Sequence, residues 1–228
     1  MVNHYTANLR LRHDDAYTPG GKAGFRPDHA VTVYAQILKR LYPHVPVVAG
    51  GIEASLRRLT HYDYWSDALK PSIRAESGAD LLIYGMGEGV IQQVAKALRN
   101  GYNAKLLRKI RQVAFLSDES YVARLDPATT IRLHSYEECR ADKRAFGENF
   151  TVEETQSNLP EPKATLVERV GDRYVVVTPP NATLTTEELD HTYDLPYERA
   201  PHPRYAGKGD IPAWEMIKHS VNIHRGCF

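Results

Sequence analysis

Residues 45–51 read Val-Pro-Val-Val-Ala-Gly-Gly, and residues 81–88 read Leu-Leu-Ile-Tyr-Gly-Met-Gly-Glu. Each stretch is a short apolar run that ends in glycines. Such a run predicts a buried strand, and the glycines predict a tight turn directly after it. Two copies of one pattern, about 35 residues apart, are typical of successive strand–turn–helix units in an α/β domain.

The segments around these two stretches alternate between helical and strand-like patterns. Apolar spacing and capping residues predict helices over 28–42, 53–59, 66–78 and 90–99, and strands over 45–49, 81–84 and 112–116. Because proline is tolerated only in the first turn of a helix, Pro71 leaves open a start of the third helix nearer Lys70. Alternation of this kind predicts a doubly wound α/β fold with a mostly parallel sheet covered on both faces. A further strand is predicted over 173–177, outside this block.

The glycine turns are the candidate ligand site. Glycines after a strand let a backbone approach a ligand, and ligands of open α/β sheets bind at the carboxyl ends of the strands. The candidate cofactor-binding residues are Gly50, Gly51, Gly85, Gly87 and Glu88. The alternative, favoured by the lack of a complete dinucleotide fingerprint, is that these glycines only permit tight turns.

Two neighbouring features can likewise be interpreted either as part of a ligand site or as purely structural. Arg57 and Arg58 could bind a carboxylate or phosphate, or they could form a solvated helix face. The run His61–Trp65 could line a pocket, but an aromatic run more often anchors an element into the core.

Composition excludes several classes of function. Charged residues make up 25% of the chain and the net charge is +1, which predicts no nucleic-acid or anionic-membrane partner. No apolar run approaches the length of a membrane span. With only Cys139 and Cys227 there is no disulfide framework, so we expect a reducing, cytoplasmic compartment.

Three segments are predicted. Residues 1–116 form an α/β domain that is incomplete at its start, because the turn-rich stretch 17–24 has no preceding element to pack against. Residues 117–212 form a helical and irregular connecting segment that becomes proline-rich near its end. Residues 213–228 begin a further domain with a strand over 217–223.

The last residues point to a metal. Cys227 follows the predicted strand in the sequence His224-Arg225-Gly226-Cys227-Phe228, and a thiolate on such a turn suits a soft metal. One cysteine cannot hold a cluster, and Cys139 lies in a charged segment where we expect it to be a bystander. We therefore expect the chain to be a fragment that ends inside a site.

Several long blocks of the sequence resemble the YgiQ family of radical-SAM proteins. They include residues 14–24, 50–58, 61–67, 84–88 and 224–228, in the order that the family has them. The resemblance implies that Cys227 is the first cysteine of a Cys-x3-Cys-x2-Cys motif holding a [4Fe–4S] cluster, with S-adenosylmethionine on the open iron. The other two cysteines are absent after Phe228.

The resemblance also implies an N-terminal domain like those that bind cobalamin, followed by the first strand of a radical-SAM barrel. No Asp-x-His-x-x-Gly signature occurs, so cobalamin lacks support from a histidine motif. The implied activity is reductive cleavage of S-adenosylmethionine in the full-length protein, with a substrate that is either a small molecule or unknown in kind, and a reductant such as a flavodoxin. The alternative is a non-catalytic α/β module that binds a ligand or packs on the catalytic barrel.

Overall fold

The structure is a computed structural model that describes residues 5–101 and 103–221. It divides into two compact units: one combines the chain up to Ala30 with the chain from Tyr193 onward, and the other spans Val31–Thr192. The predicted boundary at 116 does not separate units, because later strands join the same sheet as the earlier ones.

Ten helices and eight strands lie in the described residues. The helices α1 to α10 are Ala30–Leu41, Gly51–Leu56, Ile73–Ser77, Glu88–Arg99, Ala104–Leu107, Glu119–Val122, Tyr136–Ala141, Lys143–Ser157, Thr186–Tyr193 and Pro212–Ile217. The strands β1 to β8 are Val48–Ala49, His61–Asp63, Ala68–Lys70, Leu81–Ile83, Val113–Ser117, Thr130–Arg132, Thr165–Val170 and Arg173–Val177. None of these helices is long and apolar enough to cross a membrane.

Six strands form one sheet in the order β1-β4-β5-β8-β7-β6. The pairs β1/β4 and β6/β7 are parallel, whereas β4/β5, β5/β8 and β7/β8 are antiparallel. The α/β class is therefore confirmed, but the sheet is mixed and the prediction of mostly parallel strands is corrected. The prediction was wrong because an apolar sequence pattern indicates that a strand is buried on both faces but does not indicate the direction in which the strand runs.

Alternate residues of the central strands enter two apolar cores, one on each face of the sheet. Leu82, Ala114 and Val175 belong to one core, and Leu81, Phe115 and Val176 belong to the other. This period of two is the side-chain alternation of a strand. Helix α4 adds Val90 and Val94 to the second core, which fixes its N-terminus beside the end of β4.

The predicted helix over 66–78 is wrong in its first half. Ala68–Lys70 pairs antiparallel with His61–Asp63, so the aromatic run forms a two-stranded hairpin. A helix begins only at Ile73, where the Ser72 hydroxyl accepts a hydrogen bond from the Arg74 amide at 3.2 Å. Pro71 explains the late start, because proline disfavours the helical conformation of the residue before it.

At the other end of the chain, the predicted strand over 217–223 is replaced in part by helix α10, which extends to Ile217. Residues 222–228 lie outside the described part, so the predicted first strand of a barrel is not supported. The strand predicted over 173–177 is confirmed as β8.

Candidate functional site

The two glycine turns lie side by side. Strands β1 and β4 are parallel neighbours, with Val48 opposite Leu81, so the turns that follow them meet at one edge of the sheet. The amide of Gly85 donates a hydrogen bond of 3.0 Å to the hydroxyl of Ser55, which joins the second turn to α2. We call the turns 50–51 and 85–88 the glycine edge.

Backbone geometry explains the glycines of this edge. Gly51 and Gly85 have φ of 82° and 65°, a left-handed region that costs other residues free energy. A Cβ on Gly87 would lie 3.2 Å from Cγ2 of Ile83. The tight-turn interpretation therefore accounts for these positions without any ligand.

Gln112 braces the glycine edge from the neighbouring strand. Its Nε2 donates to the carbonyl oxygens of Tyr84 and Met86, each at 2.7 Å, and its Oε1 accepts from the amide of Asn181 at 3.1 Å. The residue is only 6% exposed and has φ of 64°. From the sequence, Gln112 is only the polar first residue of the strand predicted over 112–116, and no pattern indicates a role at the glycine edge.

A cavity of about 200 Å³ opens beside this brace. Its wall combines the turn at Gly85 and Met86 with Gln112 and the segment 180–184. Pockets for drug-sized ligands begin at about 300 Å³, so a dinucleotide or a corrinoid could place only part of itself in this cavity. Glu88 stands in the first turn of α4, where its carboxylate takes the position that favours an anion.

The neighbouring arginines are engaged in ion pairs. Arg57 lies 3.4 Å from Glu53 and 3.8 Å from Asp63, and Arg58 lies 2.6 Å from Glu153. These bonds join α2 to the hairpin and to α8. Arg57 and Arg58 therefore have a structural role, whereas the sequence left open a solvated helix face or an anion-binding pair.

Glu168 is a buried carboxylate on β7. It is 1% exposed, and its two oxygens accept from the amide of Thr60 at 2.9 and 3.2 Å. The pKa of Glu168 is raised to about 7, mainly by burial; the hydrogen bonds from Thr60 act against this, and the charges of Glu153 and Glu137 act with it. No pattern in the sequence indicates that this carboxylate is buried.

Cys139 is also buried. Burial raises the pKa of its thiol to about 11, and the nearby charges of Glu168 and Glu138 act in the same direction. The amide nitrogen of Asn149 donates to the sulfur at 3.2 Å. A protonated, enclosed thiol is a poor metal ligand, in accord with the bystander role expected for it.

In the unit formed by the chain ends, the stretch 14–24 folds into a compact loop. Asp15 is 1% exposed and accepts two hydrogen bonds from Arg26, at 2.7 and 2.8 Å. The Gly20 amide donates to the carbonyl of Asp210 at 2.7 Å, and the Ala213 amide donates to the carbonyl of Ala16 at 2.8 Å. The loop thus holds the segment 209–213.

The predicted metal ligand, Cys227, lies outside the described residues. Within residues 5–101 and 103–221, no group of three or more histidine, cysteine, aspartate or glutamate side chains could hold a metal ion. The described chain therefore does not itself supply the ligand set of an iron–sulfur cluster.

Comparison with known proteins covers nearly the whole chain. The profile of the family described as Radical SAM N-terminal matches residues 1–220. UPF0313 proteins of Porphyromonas gingivalis, Bacteroides thetaiotaomicron and Rhodopseudomonas palustris are 54%, 50% and 48% identical over the complete chain. The chain spans 36%, 38% and 36% of their lengths, respectively. No solved structure matches it significantly.

Proposed function

The chain belongs to the radical SAM N-terminal family, and on that premise we propose that it is the N-terminal module of a radical-SAM enzyme. The observation that carries the proposal is the match of the family profile to residues 1–220 of 228. Membership confirms the resemblance to the YgiQ family. The relatives are almost three times as long as the chain, so the activity of a whole protein is part of the proposal.

In this proposal, Cys227 is one of three thiolates that hold a [4Fe–4S] cluster in a full-length protein. Such a cluster, when bound with S-adenosylmethionine, supplies the electron that cleaves the sulfonium. The role of the described residues is to hold the chain that leads to Cys227. Two backbone hydrogen bonds attach the segment 209–213, which ends fourteen residues before Cys227, to the loop 14–24. The proposal also includes a reductant such as a flavodoxin, a substrate that is either a small molecule or unknown in kind, and a cytoplasmic location.

Close packing explains why that loop needs its glycines. A Cβ on Gly209, whose φ is 96°, would lie 3.1 Å from both N and Cα of Gly20. Two backbones meet here without side chains between them. Asp15, held by Arg26, in turn accepts the amide of Tyr17 at 2.9 Å and keeps the loop in shape.

The test joins this chain to the remaining two thirds of the Porphyromonas relative. After anaerobic reconstitution with iron and sulfide, we expect cluster absorbance and production of 5′-deoxyadenosine with dithionite. Cys227→Ala should abolish both. Cys139→Ala is the matched control and should keep both, because that thiol is buried and protonated. The proposal fails if Cys227→Ala keeps the cluster, or if the 228-residue chain alone forms a stable one.

The second candidate is a binding module, and the cavity at the glycine edge favours it. Its volume of about 200 Å³ suits a small ligand or one arm of a larger one. Nucleotide, substrate and cobalamin are the candidates, the last without a histidine motif. Gly51→Val should abolish ligand retention, whereas flat titrations with all three would leave only a structural module packed on the catalytic barrel.

A further inference from the structure

Three arginines converge at the edge of the sheet opposite the glycine edge. Helix α3, which carries Arg74, leads into the start of β4, and Arg173 begins β8. Ser117 ends β5 between them, because β5 runs antiparallel to both of these strands. Arg108 reaches the same place from the turn after α5. We call Arg74, Arg108 and Arg173 the arginine cluster.

Contacts at Ser117 bring two of the arginines together. Arg173 donates from Nε to the carbonyl of Ser117 at 3.1 Å, and Arg108 donates from Nη1 to its hydroxyl at 3.4 Å. The guanidinium of Arg108 also lies over the rings of Phe115 and Tyr121, 5.1 and 5.9 Å from their centres. These contacts fix the direction of Arg108.

Arg74 is the most enclosed member. The pKa of Arg74 is lowered to about 10, mainly by burial; the charge of Asp80 acts against this, and the positive charges of Arg108 and Arg173 act with it. It nevertheless remains a cation at neutral pH. Its Nε is buried and has no hydrogen-bond partner in the part of the chain that the structure describes. A half-buried cation with an unused donor costs free energy in the absence of a ligand.

The cluster has many donors and few acceptors. Each guanidinium carries five N–H donors. Among residues 5–101 and 103–221, no carboxylate forms a salt bridge with any of the three. Their side-chain hydrogen bonds within that same part of the chain are the two to Ser117. Most of the donors are therefore open to another acceptor.

The nearby carboxylates are held by other groups. Asp80 accepts from the Lys39 ammonium at 3.0 Å and from the Val47 amide at 2.8 Å. Asp118 caps α6 by accepting from the Tyr121 amide at 2.9 Å, and it also accepts from the Ser120 hydroxyl at 2.7 Å. Arg124 adds a further positive charge beside Asp118. An excess of positive charge therefore remains at the cluster.

We propose that the arginine cluster is a binding site for a phosphate group, either free phosphate or the phosphate of a small phosphomonoester. A guanidinium group can donate two parallel hydrogen bonds to the oxygens of a phosphate, and a phosphate dianion balances two positive charges where a carboxylate balances one. Nothing in the proposed radical-SAM role assigns this surface, which lies on the side of the sheet away from the glycine edge.

The test is calorimetric titration of the 228-residue chain at constant ionic strength. We expect saturable binding of inorganic phosphate or of glycerol 3-phosphate, and no such binding of acetate. The compound that binds more tightly shows whether the site takes free phosphate or a phosphomonoester. Arg173→Gln and Arg74→Gln should each weaken the binding by about tenfold or more, because each removes charge-assisted hydrogen bonds.

Arg144→Gln is the matched control. Arg144 is an exposed arginine on α8, 3.2 Å from Glu148, and its loss should leave phosphate binding unchanged. Arg173 is also exposed, so Arg173→Gln is expected to fold even if Arg74→Gln does not. The proposal is overturned if neither phosphate compound binds, if acetate binds equally well, or if Arg173→Gln binds as tightly as the unaltered chain.

Discussion

The two edges of the sheet handle their polar groups in opposite ways. At the glycine edge, Gln112 satisfies the carbonyls of Tyr84 and Met86, and Ser55 satisfies the amide of Gly85. At the arginine cluster, Arg74 keeps a buried donor without a partner among the described residues. At the glycine edge, where the sequence predicts a ligand site, side chains of the fold satisfy these three backbone groups. At the arginine cluster, which no sequence pattern indicates, a buried guanidinium donor has no partner among the described residues.

The largest expected effect tests the hydrogen bonds that Gln112 makes at the glycine edge. Gln112→Ala removes three hydrogen bonds at once, two to backbone carbonyls and one from a backbone amide. Each such bond contributes about 0.5–1.5 kcal/mol, so we expect a loss of about 3–4 kcal/mol in the free energy of unfolding, measured with urea.

Gln93→Ala is the matched control for that measurement. Gln93 is exposed on α4, and its replacement should change the free energy of unfolding by less than about 0.5 kcal/mol. If Gln112→Ala were equally mild, the hydrogen bonds of Gln112 would not hold the turn, and the glycine edge would be as open to ligands as the arginine cluster.

The second prediction concerns the pH dependence of stability that the buried carboxylate of Glu168 causes. Its pKa is about 7 in the folded chain against 4.5 for the exposed side chain. The folded state therefore binds the proton more tightly, so this contribution to stability is complete below about pH 4.5 and is lost as the pH rises through 7. A shift of that size corresponds to about 3 kcal/mol.

The measurement is urea unfolding at pH 5 and pH 8 for the unaltered chain and for Glu168→Gln. Other titrating groups are common to both proteins, so the difference between them isolates Glu168. We expect the unaltered chain to lose stability relative to the variant at pH 8. Equal pH profiles would mean that the Thr60 amide stabilises the carboxylate enough to keep the ordinary pKa.

Sequence reasoning located the glycine edge because glycine spacing is a local signal. It placed the apolar strands 48–49, 81–83, 113–117 and 173–177 within a few residues, for the same reason. Strand direction was wrong, since the antiparallel course of β5 depends on tertiary packing that no local pattern reports. The arginine cluster was missed because its three members, at 74, 108 and 173, meet only in the folded sheet.

A pair of glycine substitutions separates backbone strain from helix propensity. Gly51→Ala places a side chain at φ of 82° with no atom within 4 Å, so only backbone strain applies, and we expect a loss of about 1–2 kcal/mol. Gly147→Ala, inside α8 and equally unobstructed, should gain about 0.5–1 kcal/mol. Thermal unfolding should therefore shift in opposite directions.

Loss of stability in both variants would contradict the tight-turn explanation, because it would show that a Cβ is harmful regardless of φ. Gain in both would mean that the turn at Gly51 relaxes to an ordinary conformation. In that case the turn itself would not require glycine at position 51, and close approach of a ligand would remain as the reason for it.

The smallest effect is expected at the arginine cluster, and its sign is the informative quantity. Arg74→Met keeps the length of the apolar stem but removes a half-buried charge that has no salt bridge among the described residues. Burial of that charge, together with repulsion by Arg108 and Arg173, outweighs its attraction to Asp80. In phosphate-free buffer we expect this variant to be as stable as the unaltered chain or more stable, by up to about 1 kcal/mol. A side chain that only supports the fold would instead cost stability on removal, as Gln112 should. A clear loss in Arg74→Met would therefore assign Arg74 to the structure of the sheet, and it would remove the contrast between the two edges.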